Sequence, residues 1–133
     1  MTALPPSPLY WETHPNTSGQ GPSAQLPMEL NRWNWGAFFL HWIWAAVHKA
    51  WLGVVLCFLL GIIGSVICGV KGNEWAWQNN RYDSVEQFNE IQRKWALWGL
   101  AIQGIPLAIV LLVYFILFVV AVVGALSRLG ATP

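Results

Sequence analysis

Two histidines in an aromatic setting are the residues of this sequence whose types and spacing best suit chemistry. His41 and His48 lie seven residues apart, nearly two helical turns, so a continuous helix stacks them on one face among Phe38, Trp42 and Trp44. Imidazoles so placed can ligate a haem iron or a (bacterio)chlorophyll magnesium. One helix cannot set both rings on opposite faces of one macrocycle, so bis-histidine ligation would need a second segment or chain. The competing reading is a hydrogen-bonded packing role, with His48 beside Lys49 as a border residue. That reading is the one expected here, and no cofactor is expected with it. No Cys-x-x-Cys, His-Glu-x-x-His, phosphate-binding glycine loop or Gly-x-Ser-x-Gly elbow occurs, so no catalytic residues are assigned and an enzyme is not expected. Glu74, Asp83, Glu86 and Glu90 fall in one polar stretch, where Glu90 and Lys94 form an i,i+4 pair.

The elements that must position these side chains are apolar. Hydrophobic residues make up 56% of the 133 and charged residues 10%, with mean hydropathy +0.46, a composition in which lipid must cover part of the surface. The formal net charge of +1 comes from scattered basic residues, which argues against nucleic-acid binding. Trp51 to Val70 is a 20-residue run without a charge and, at about 1.5 Å per residue, a helix of that length matches a hydrocarbon core of about 30 Å. It is expected to span. Along it Gly53, Cys57, Gly61, Ser65 and Gly69 recur every four residues, a small-residue face on which another helix can pack closely in lipid. Cys57 and Cys68 would then sit about 16 Å apart along one helix, beyond disulfide reach.

Residues 32–50 form a shorter Trp-rich helix, re-entrant or spanning, because only 12 apolar residues separate Asn34-Trp35 from His48-Lys49. After Lys71-Gly72-Asn73 the chain turns polar. Asp83 or Ser84, with Glu86 or Gln87 three residues on, reads as a capping box opening an amphipathic helix over 83–104. Its apolar residues Val85, Phe88, Ile91, Trp95, Trp98 and Ile102 form one stripe, which is expected to lie on the membrane surface. Pro106 then divides the charge-free stretch Trp95 to Leu126, leaving 106–127 as a second span. No acid, Lys or Arg falls inside either span, which argues against an ion or proton pathway. Trp33, Trp35, Trp75, Trp77, Trp95 and Trp98 are the expected interface anchors.

The fold class is therefore an all-α integral membrane protein. Its parts are a Pro-rich extended tail over 1–30, a helical membrane domain over 31–128 and a short end over 129–133. Leu9, Tyr10 and Trp11 could anchor the tail on a partner or headgroup layer. No signal peptide or acylation motif is visible. If 32–50 crosses, Arg32, Lys71, Arg81, Arg93 and Lys94 share one side against Lys49 and Arg128, which places the tail in the cytoplasm.

Trp33-Asn34-Trp35-Gly36-Ala37-Phe38-Phe39, His48-Lys49-Ala50-Trp51 and Gly72-Asn73-Glu74-Trp75 together resemble a family of small bacterial membrane proteins, a domain of unknown function. The similarity covers residues 31 to 100. It implies a bacterial inner-membrane location and no activity. The function expected is a non-catalytic accessory or structural subunit of a larger membrane complex, docking through the Gly53–Gly69 face. The lipid bilayer and other membrane subunits are its expected partners. The rival is a pigment- or haem-holding subunit using His41 and His48.

Overall fold

The computed structural model describes residues 15–130, and within them every regular element is helical. In chain order these are α1 (Trp35–Val47), α2 (Trp51–Leu60), α3 (Ile62–Asn79), α4 (Val85–Gly99) and α5 (Ile105–Gly130), with a π-helical turn, Leu100–Gly104, joining the last two. The Asn34 side chain opens α1 by accepting from the Ala37 amide at 2.8 Å. Ser84 opens α4 by accepting from the Gln87 amide, while the Gln87 side chain reaches back to the Asp83 amide. The capping box expected there is present.

The expected span over 51–70 is not one helix. At Gly61 (φ 55°, ψ −119°) the chain reverses in a conformation that glycine adopts far more readily than other residues, and α3 runs back along α2. Cys57 Sγ and Cys68 Sγ meet at 3.3 Å, against the 16 Å or so of a continuous helix. A Cβ on Gly64 would lie 2.4 Å from the Leu56 carbonyl oxygen, so the absent side chain is what lets the legs close. The first leg, ten residues, is about 15 Å long, half a hydrocarbon core. Lys71 to Asn73 do not end the helix either: α3 continues through them to Asn79, with Lys71 paired to Glu74.

α4 corrects a second expectation. The first four residues of its stripe do not lie on a membrane surface, because Val85 and Phe88 are buried and Ile91 and Trp95 pack on the protein core, while Trp98 and Ile102 stay exposed. Trp77, Tyr82 and Phe88 form the aromatic centre of that core, with ring centroids 4.9 to 5.9 Å apart. Nor does Pro106 separate two helices. The residue lacks an N–H and crowds the carbonyl four residues back. The widened turn just before it, where the Ile105 amide bonds to the Leu100 carbonyl, carries the helix through. Val85–Gly130 is thus continuous, and among the described residues it is the one helix long and apolar enough to cross a membrane. No residue of α5 is buried.

Residues 15–30 also depart from the solvated tail expected of their composition. Leu30 and Ser18 are buried, the Gly19 amide donates to the Trp77 carbonyl at 2.8 Å, and Arg81 donates to the carbonyls of Asn16 and Ser18. Specific backbone bonds to the α3–α4 turn hold the segment, a signal that composition does not carry. Leu9, Tyr10 and Trp11 lie outside the described residues.

Candidate functional site: a buried amide–imidazole network and two cavities

Five polar side chains meet between α1, α3 and α4: Asn34 and His48 at the two caps of α1, Trp44 within it, Asn73 on α3 and Gln92 on α4. Asn34 Nδ2 donates to Asn73 Oδ1 at 2.7 Å and to Gln92 Oε1 at 3.0 Å. The same Gln92 oxygen accepts from Trp44 Nε1 at 3.0 Å, and Gln92 Nε2 stands 3.1 Å from His48 Nε2. His48 Nδ1 lies 2.8 Å from the Trp44 carbonyl. A carbonyl only accepts and the Gln92 amide nitrogen only donates, so His48 is neutral, protonated at Nδ1, with Nε2 accepting. Asn73 Nδ2 completes the set by donating to the carbonyls of Leu30 and Arg32. Every member is buried and hydrogen-bonded to another, the condition under which a buried polar cluster fixes one arrangement of helices.

Burial pushes His48 down to about 4, and its bond to the Trp44 carbonyl opposes the shift only in part. The ring stacks on Trp44 with centroids 4.1 Å apart and meets Trp95 edge-on. Both ring nitrogens are therefore engaged, Nδ1 within the last turn of α1 and Nε2 across to Gln92 of α4, the packing role weighed for this residue in the sequence. His41 is elsewhere. It adopts φ 23°, ψ −99° inside α1 and breaks that helix, so the two histidines do not stack on one continuous face. Its Nδ1 accepts from the Trp42 amide at 2.9 Å.

One cavity borders the network and another lies apart from it. The larger, about 740 Å³, opens between the start of α1 and α4, where Arg32, Asn89, Glu90 and Arg93 provide its charged and polar rim and Trp33, Asn34 and Gln92 part of its wall. The smaller, about 390 Å³, lies where the Gly61 turn faces the π-helical turn. His41, Cys57, Ser65 and Gln103 supply its polar groups, and Phe38, Phe39, Ile62 and Leu107 its apolar wall. Among the described residues no three His, Cys, Asp or Glu side chains converge as a metal site. The two thiols, buried against each other, face the chain's own interior.

The small residues of the 53–69 stripe are placed against this same chain. A Cβ on Gly53 would meet Trp75, Ala45 and Cys68, one on Gly69 would overlap the Trp33 ring at 2.5 Å, and Cys57 contacts Cys68. Ser65 is buried beside the turn and Gly61 forms it. The stripe is therefore not one helix face offered to a partner. Of the expected anchors, Trp35 and Trp98 are exposed, Trp33, Trp75 and Trp95 are half-buried, and Trp77 is a fully buried core residue. Asn34, Asn73 and Gln92 were not singled out by sequence reasoning. Asn34 and Asn73 entered only as parts of the motifs that carry the family resemblance, and the one signal for Gln92 is its place next to Ile91 of the stripe. No family model, curated protein or solved structure matches the chain.

Proposed function

We propose that this chain is a non-catalytic membrane component, a small accessory or structural subunit of a larger bacterial inner-membrane complex. In this reading a self-contained helical head is held at the bilayer by α5. The observation that carries it is the contrast between a head with its own core and polar network and a 26-residue apolar helix with no buried residue. Such a helix needs a cover, and lipid or the helices of neighbouring subunits supply one. A single crossing replaces the multi-pass arrangement drawn from hydropathy. It leaves Arg32, Lys49, Lys71, Arg81, Arg93 and Lys94 on the head side and Arg128 on the other, so the positive-inside rule puts the head in the cytoplasm. The family resemblance supports the same membrane.

Photocrosslinking tests the subunit role. A benzophenone amino acid at Leu112 or Val119 in the native host membrane is expected to give an adduct of one defined mass with another membrane protein. Lipid adducts alone at both positions, together with a mild-detergent particle no larger than one or two chains, would defeat the reading. A visible absorption band on that particle would favour the pigment or haem alternative instead.

A further inference from the structure

We propose that the turn of the α2–α3 hairpin, Phe58–Ile63, is a membrane-inserting wedge that enters the acyl region of the same leaflet through which α5 passes. The proposal rests on α5 being the membrane span. Phe58 and Leu59 are 71% and 75% exposed, Ile62 is 71% exposed, and Leu60 and Ile63 are also exposed. A contiguous apolar tip of this kind on a small head marks an interaction surface.

The place of the tip in the fold selects lipid as its occupant. Gly61, Ile62 and Ser65 line one cavity together with Gln103 and Leu107, so the tip lies beside the point where the long apolar helix leaves the head. Whatever bilayer receives α5 begins there. Between Ala50 and Val70 the hairpin carries no charged residue. Lys49 and Lys71 bound it on either leg, and Trp51 stands exposed at its base, the order of residue types found at a membrane border.

Hydrocarbon favours backbone polar groups that are satisfied internally, and both backbone groups of Gly61, at the centre of the turn, are. The Gly61 amide donates to the Cys57 carbonyl at 3.0 Å, while the Gly61 carbonyl accepts from the Ser65 amide at 3.1 Å and the Ser65 hydroxyl at 3.4 Å. A leg of ten residues, about 15 Å, confines insertion to one leaflet of a core about 30 Å thick.

Depth-dependent quenching tests this on the full chain in phosphatidylethanolamine–phosphatidylglycerol vesicles. An environment-sensitive fluorophore is placed on Leu59→Cys, Ile63→Cys, Leu117→Cys or Asp83→Cys, each in a Cys57→Ala, Cys68→Ala background whose helicity matches the native chain. At Leu59 and Ile63, quenching by lipid spin-labelled at carbon 5 is expected to exceed quenching by aqueous iodide several-fold. At Leu117 lipid labelled at carbon 12 dominates, and at Asp83 iodide does. Iodide quenching of both tip positions with lipid quenching at Leu117 overturns the wedge and leaves the span. Protection of the tip from both quenchers also overturns it, in favour of a protein cover such as a second copy. Loss of lipid quenching at Leu117 removes the span and the wedge with it. Two tip positions guard against one labelled variant misfolding.

Discussion

Gln92 is the residue on which the head's polar core depends. One side chain bonds Asn34, Trp44 and His48 at once, so removing its amide strands Trp44 Nε1 and His48 Nε2 and leaves Asn34 Nδ2 only its bond to Asn73, in a medium where each unpaired group costs about 1–3 kcal/mol. Gln92→Leu, close in volume, is expected to lose about 2–4 kcal/mol after partial relaxation, read as a lowered midpoint of chemical unfolding in detergent. A variant of unchanged midpoint would show that the network does not hold the head. His48 gives the same cluster a pH signature. Its folded value of about 4 lies below the ordinary 6.5, so between those values the unfolded chain binds a proton that the native chain excludes. Stability is then fully present above pH 6.5 and falls as the pH drops toward 4, by on the order of 3 kcal/mol. His48→Gln removes this component, and comparison of the two pH profiles isolates it from the carboxylates. The sequence made His48 visible through its type. Its partners were not visible, because which amide meets an imidazole 44 residues away is decided by how α1 crosses α4.

The hairpin is where local pattern and tertiary structure part. Twenty uncharged residues satisfy the length test for a span whether they run straight or fold back after ten, since mean hydropathy has no term for direction. The four-residue spacing of small residues was real but was read on one helix. In the folded chain Gly53 and Cys57 belong to one leg and Ser65 and Gly69 to the other, with Gly61 between them. Gly61, which makes the turn, and Gly64, which lets the legs close, distinguish the two foldings, and glycines in an apolar helix are common enough to be passed over. The capping box at Ser84 and the apolar stripe of α4 were legible because both are local. What the stripe would face was not: from Val85 to Trp95 it faces protein, and Trp98 and Ile102 stay exposed. The cysteines check the reversal directly. Copper–phenanthroline oxidation is expected to join Cys57 and Cys68 within one chain, a loss of two hydrogens per molecule by intact mass, because the sulfurs already stand 3.3 Å apart. A straight helix would hold them about 16 Å apart and yield only dimers or unreacted thiols.

At the scale of the whole molecule, two parts of different character share one continuous helix. Upstream of Leu100 the helix is buried along one side and belongs to the head; downstream of Ile105 none of it is covered. The second half was the more legible of the two from sequence, since a 22-residue apolar stretch ending at Arg128 needs no tertiary contact to be recognised. The membrane role proposed for it also has the sharpest energetic consequence. A charge at the centre of a spanning helix costs about 2.5–3.5 kcal/mol on insertion scales, so Ile116→Asp with Val120→Arg should cost about 5–7 kcal/mol, enough to compete with insertion of a single helix. Their i,i+4 spacing lets the two charges pair and recover part of that, so Val113→Arg with Val120→Arg, which cannot pair, is the stricter variant. After alkaline carbonate washing the native chain is expected in the membrane pellet and this variant largely in the supernatant. Met28→Arg, on a head residue that is 92% exposed, should leave the distribution unchanged. If the doubly charged α5 stayed in the pellet as firmly as the native helix, its uncovered face would have to be explained by a protein partner, and the head would need another route to the bilayer.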